Sequence, residues 1–242
     1  MSRIRLMLGT LALGALVAGT ACQVSFARGS GNVVSESRQV SGFDRVSLGG
    51  IGNLLITQGD QESLTIDAED NVLPHITTNV SGGQLSIGYD TQGLNWVQPT
   101  KPVDFHLTVK NLQEIDLGGS GSIQTSGLRA NQLTVKIGGS GNGTLNGLVV
   151  TGLDVEIAGS GSIVAAGTAD SQQLRIAGSG NYRAPDLATQ STQITVTGSG
   201  NSVVNVARTL SVSITGRGSV QYSGSPTIDQ HILGSGRITK LP

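Results

Sequence analysis

Between Gly119 and Gly236 the chain repeats one phrase seven times: an apolar, alternating segment runs into Gly-Ser-Gly or a close variant, then starts again eighteen to twenty residues later. The copies close at Gly121, Gly141, Gly161, Gly180, Gly200, Gly218 and Gly236, giving spacings of 20, 20, 19, 20, 18 and 18. A near-constant period of this length marks a solenoid, in which each repeat stacks on its neighbours. Two residues before the first glycine stands Leu117, Ile137, Ile157, Ile176, Val196, Ile214 or Ile232. Two before that stands Ile115, Val135, Val155, Leu174, Ile194 or Val212, and Gln230 breaks the column. Beyond the last glycine the apolar face resumes at Ile123, Ile163, Tyr182, Val220 and Ile238, with Gly143 and Ser202 as exceptions. Side chains two apart share one face of a strand, so each copy predicts a short strand, a tight corner and a second short strand.

A helical reading fails on the same residues, because the period is 2 and the repeats are filled by Gly, Val, Ile, Thr and Ser. Glycine suits the corner because it reaches positive φ and carries no Cβ. Ser120, Ser140, Ser160, Ser179, Ser199 and Ser235 are then expected to stack along the axis, as are Asn142, Asn181 and Asn201, with side chains able to hydrogen-bond from coil to coil. The expected fold is all-β: a single-stranded parallel β-helix of about seven coils following a less regular, β-rich amino-terminal part. At about 4.8 Å per coil the repeats would make a column roughly 30 Å tall.

Composition agrees. Aromatic residues are 3% and charged residues 13%, lean for a compact globule but natural for coils filled by Val, Ile and Leu. The net charge of -1 offers nothing to draw nucleic acid.

The amino terminus carries Arg3 and Arg5, an apolar run from Leu6 to Val17, and small residues up to Ala21 and Cys22. This is the pattern of a secretory leader, and the run is too short to span a membrane as a helix, which takes about 20 apolar residues. The expected organisation is a signal peptide over 1–21, a flexible tether over 22–33 and one solenoid domain over 34–242. Gly19-Thr20-Ala21-Cys22 resembles a bacterial lipobox, with Gly19 where a larger aliphatic residue is usual. Two readings stand: Cys22 is lipidated, or the leader is cut after Ala21 or Ala27 and Cys22 is incidental. Cys22 is the sole cysteine, so no intramolecular disulfide is available. Gln23 rather than Asp follows it, which by analogy with bacterial lipoproteins would release an anchored product from the inner membrane. The expected location is the periplasm, outer membrane or cell surface, with membrane contact only through a lipid on Cys22.

From Val33 to Ile87 the alternation is strand-like but less regular. Leu48-Gly49-Gly50-Ile51-Gly52-Asn53-Leu54 keeps the frame of the repeat and reads as a divergent first corner, with Ile51 in place of serine. Residues 88–103 fit neither pattern and predict a projecting loop or end cap. Within it Tyr89, Trp96 and Lys101 are the candidate recognition residues, since an exposed aromatic can anchor a partner or a sugar. A terminal coil must also be closed against edge pairing, and the irregular Gln230, Arg237 and final Leu241-Pro242 suit such an end.

The run from Val46 to Asp60, then Leu64 to Leu73, Gly83 to Ile87 and the Gly-Ser-Gly repeats together resemble the bacterial head GIN domain family of putative auto-transporter adhesins. The likeness covers roughly Val34 to Leu241. It implies a parallel β-helix related in shape to pectin lyases, an envelope location, and no established catalytic residues.

The residues themselves supply no catalytic constellation. Asp154 and Glu156 share the outward side of one strand and read as solubilising neighbours rather than an acid/base pair. His75, His106 and His231 lack metal-ligand spacing. Gly119-Ser120-Gly121 and its copies lack the five-residue frame of a nucleophile elbow. The calcium-binding Gly-Gly-x-Gly-x-Asp motif would need a carboxylate where Ile123 and Gly143 stand. No catalytic, metal or cofactor residue is therefore nominated. The function expected is a non-enzymatic envelope or surface module, adhesin-like or scaffolding, with a surface protein or glycan as partner. The alternative is a carbohydrate-binding or carbohydrate-processing protein of pectin-lyase-like shape.

Overall fold

The computed structural model describes residues 27–90 and 97–242. The leader, Cys22 and Trp96 lie outside the described residues. Alternation builds the column. At the approach to each corner Ile115 and Leu117, Val135 and Ile137, Val155 and Ile157, Leu174 and Ile176, Ile194 and Val196, and Val212 and Ile214 are at most 2% exposed. Full burial of such a side chain is worth about 2 kcal/mol, so the inward rows are the main source of cohesion. The coils stack parallel and in register, with Val135 on Ile115, Val155 on Val135, Leu174 on Val155, Ile194 on Leu174 and Val212 on Ile194. The protein is an all-β parallel solenoid.

From Asn142 onward each coil is one strand bent around the column. Asn142–Gly159, Ser162–Gly178, Asn181–Gly198 and Asn201–Gly216 each run from one glycine corner to the next. The uneven spacing of the repeats is absorbed away from those corners, where the register slips between Leu145 and Leu148, between Val164 and Ala166, and between Ala184 and Ser191. The glycine corners cannot slip, for reasons that differ within one corner. Gly178 has φ 123, and a Cβ on it would lie 2.5 Å from the carbonyl oxygen of Gly159. Gly180 has no positive φ, but its Cβ would strike Ile157 Cγ2 at 2.4 Å and the Gly161 carbonyl oxygen at 2.9 Å. The serine between them is exposed, and its amide donates to the preceding coil: Ser179 N to Gly159 O at 2.9 Å, Ser199 N to Gly178 O at 2.8 Å. The serine stack is thus carried by backbone bonds. In the next row Asn201 Nδ2 donates to Asn181 Oδ1 at 3.2 Å, whereas Asn142 is separated from Asn181 by Ser162.

The amino-terminal part stacks out of chain order. Arg45–Gly50 lies directly on Glu114–Gly119, with Gly49 against Gly118 and Gly50 against Gly119, so the divergent corner is the first of the ladder. Asn53–Gln58 lies likewise on Ser122–Ser126, and on its other side it meets Asp104–Val109. Beyond these layers the pairing turns antiparallel. Ser63–Glu69 pairs with Asp104–Val109 and with Val33–Arg38, and Ile76–Ser81 pairs with Gln84–Tyr89. The opposite end is barer: Thr227–Gly234 and Arg237–Lys240 each pair on one side only, and Leu233 is 56% exposed.

Candidate functional site

The predicted recognition loop lies at the antiparallel end. Its described parts are tied down. Val97–Gln98 pairs parallel with Ala27–Arg28, and the Val103 carbonyl accepts from the Asn53 amide at 2.8 Å. Tyr89 is half-buried, its ring against Gly50 and its hydroxyl donating to the Ile51 carbonyl at 2.9 Å, and burial pushes its pKa up to about 12. It covers the first corner. Lys101 is exposed, with its amide turned toward Glu69.

Glu69 is the hub of this end and was not nominated from sequence. Only 1% exposed, its carboxylate accepts from the Gly31 amide at 2.7 Å, the Thr100 amide at 2.7 Å, the Thr100 hydroxyl and the Lys101 amide at 3.4 Å. Burial alone would raise its pKa, but these donors outweigh it and hold the carboxyl below its usual range. The group clamps two segments on opposite sides of it in the chain: Gly31, 38 residues before it, and Thr100–Lys101, which begins 31 residues after it.

The carboxylates weighed as an acid pair are committed to the outer surface. Asp154 accepts from Gln132 Nε2 at 3.0 Å. Lys136 Nζ meets Glu114 at 2.8 Å, and it sits in register between Asp116 and Glu156. Desolvation pushes the Asp116 carboxyl up, against the pull of Lys136. His106 Nε2 lies 3.0 Å from Asp67 across an antiparallel pair. Among the described residues no three His, Cys, Asp or Glu side chains gather as around a metal.

The strongest departure from a plain apolar column lies elsewhere. One inward row reads Leu133, Leu153, Gln172, Thr192, Leu210 and Ile228 in register, so two polar side chains interrupt it, each 3% exposed. Gln172 Nε2 donates to the hydroxyl of Tyr182, which is wholly buried. Thr192 donates to Gln172 Oε1 at 3.4 Å and lies 2.9 Å from the hydroxyl of Thr189, which donates to the Asn205 carbonyl at 2.8 Å. A half-turn of the Gln172 amide would give the chain Tyr182, Gln172, Thr192, Thr189, Asn205 one donated proton per link. Tyr182 is therefore an internal brace and no platform for a sugar ring.

Outside this breach runs a groove of 570 Å³. Ser171, Ser191, Thr209 and Thr227 form one wall and Gln173, Gln193 and Ser211 the other, while the residues between them, Gln172, Thr192 and Leu210, keep their side chains buried on the inward side. Thr209 donates to Ser191 Oγ at 2.9 Å, and Asp154 and Asp229 stand at the two ends. Reading the inward columns one step further back from each corner, to Leu153, Gln172 and Thr192, is the signal that would have found it.

The family model for the putative auto-transporter adhesin, head GIN domain, matches residues 42–226. The chain belongs to the head GIN family. Among solved structures this head GIN protein is similar to a putative adhesin from Bacteroides fragilis, at 26% identity over 88% of this chain and 99% of that one, with a TM-score of 0.82. It is also similar to a putative lipid binding protein from Parabacteroides distasonis, at 25% identity over 90% of this chain and 100% of that one, with a TM-score of 0.75. A putative adhesin from Parabacteroides distasonis, 22% identical over 90% and 100% of the two chains, shares the fold at a TM-score of 0.69. No curated protein matches this head GIN chain.

Proposed function

We propose that this head GIN protein is an exported, non-enzymatic binding module that makes adhesive contacts at the cell envelope. The observation that supports it most is the register of the outward rows: one coil after another presents hydroxyl and amide side chains at the same lateral position on a rigid frame. Such a surface suits many weak contacts made in parallel, whereas catalysis needs a few unlike groups converging on one point. The family description and the adhesin relative at 26% identity support the same reading. The exposed Lys101 adds a contact point at the antiparallel end, and Trp96, outside the described residues, stays a candidate anchor, while a lipid on Cys22 would tether the chain to a membrane.

Two measurements test this. Protease shaving of whole cells, with intact mass from the membrane fraction, should release the solenoid and find a lipid-modified Cys22 as the first residue; an unmodified soluble product beginning at Arg28 would rule out the anchor. Beads coated with the purified chain should adhere to surfaces that bare beads do not, and equal adhesion by both would sink the adhesive reading.

A further inference from the structure

We propose that the groove between the Ser171 and Gln173 rows binds a neutral glycan strand lying along the solenoid axis, a statement that gives a ligand class to the binding role above and rests on it. The lining selects by exclusion first. It holds no lysine or arginine, and its only charges, Asp154 and Asp229, are negative, which disfavours an anionic polymer. Its one large apolar residue, Leu210, is only 1% exposed and turns its side chain into the core, so nothing there would hold an acyl chain. What remains is a double row of groups that both donate and accept, the chemistry that meets hydroxyls.

Geometry narrows the class further. The rows repeat at the coil rise of about 4.8 Å, close to the length of one sugar ring, so each ring of an extended strand would meet the same Ser or Thr on one side and Gln or Ser on the other. A peptide would be held by main-chain pairing at a sheet edge, and this groove lies over a sheet face whose backbone groups are already paired coil to coil. The walls are preorganised, since Thr209 is held on Ser191 and Ser171 on the Thr151 carbonyl, which spares the ordering cost of binding. Beneath the groove the inward row turns polar at Gln172 and Thr192, where Leu133 and Leu153 occupy it earlier; these side chains are 3% exposed and brace the sheet under the walls rather than meet the ligand.

The test is calorimetric titration of the intact chain with gluco-, manno- and chito-oligosaccharides of two to six rings, with an oligogalacturonide as the anionic probe. A neutral series should bind with affinity that rises with length, and the anionic probe should bind at least tenfold more weakly. Gln193→Ala should weaken binding by about tenfold, the scale of one lost hydrogen bond, and Gln193→Arg should weaken it further by filling the groove. Gln124→Arg, exposed on another side of the column, should leave binding unchanged. The absence of binding by every neutral series, wild-type affinity in Gln193→Arg, or preference for an extended neutral peptide would each overturn the proposal. Bead adhesion separates the two readings. Adhesion that survives Gln193→Arg without any glycan binding removes the glycan groove alone, and glycan binding without adhesion removes the adhesive role alone.

Discussion

Two glycines forty residues apart illustrate how differently one residue type can be constrained. Gly138 has open space where a Cβ would go, and the same row holds Ala158 and Ala177 in later coils. Gly138→Ala should therefore leave the unfolding free energy from urea denaturation within about 0.5 kcal/mol of the parent. Gly178→Ala combines a positive φ, worth about 1–3 kcal/mol of strain, with a collision against the preceding coil's carbonyl, and should lower the unfolding free energy by more than that strain alone. Glu69 gives a second residue-scale expectation. Its carboxyl is held below the ordinary value of 4.5, so the stability it contributes is complete above that pH and is lost as pH falls through the lowered folded value. Thermal melts from pH 7 to pH 3 should show the parent losing ground on acidification. Glu69→Gln should begin with a lower melting temperature at pH 7 and fall less steeply, because an amide cannot accept from every donor that the carboxylate does. Parallel curves for the two proteins would contradict the clamp.

Within a coil, the corner and its flanking aliphatics were legible because they recur in every repeat, and recurrence is what a periodic pattern reports. Gln172, Thr189, Thr192 and Tyr182 are not legible as a unit, because the bonded pairs lie three, ten and twenty residues apart, with no common period, and Tyr182 and Thr189 stand off the row that holds Gln172 and Thr192. The brace they form predicts a specific non-additivity. Gln172→Leu alone strands the Tyr182 hydroxyl in an apolar interior and should cost about 1–3 kcal/mol by urea denaturation. Adding Tyr182→Phe and Thr192→Val removes the stranded groups and should return most of that loss. If the triple variant is the sum of its parts, the four side chains are not coupled. The order of the amino-terminal layers was equally hidden. Asp104–Val109 stacks on Asn53–Gln58 with its residues 51 positions further along the chain, and the antiparallel partners share the alternation of the parallel ones, so sequence carries no mark of which strand lies beside which.

As a whole the molecule has two unlike ends. Antiparallel strands close the amino-terminal one, while the last coil leaves its strands paired on a single side and its Ile228 and Leu233 exposed. Opening free energies should follow that asymmetry. Amide hydrogen exchange is expected to be fastest across Thr227–Lys240 and slowest in the middle coils from Val135 to Val196, and uniform protection along the column would refute it. The family resemblance drawn from the repeats holds at this scale, whereas its ligand is a matter of surface rows that no shared fold dictates.

The antiparallel closure has a mechanical meaning. Val33–Arg38 lies alongside Ser63–Glu69 over six paired residues, so a pull on the chain from its amino-terminal side runs along the strand and loads those bonds side by side. They must then fail together. A pull on Arg237–Lys240 from the other terminus meets four paired residues in place of six, at the end of the column that no antiparallel strand covers. Held from its amino-terminal side, the rod would withstand tension that would unravel it if held from the other.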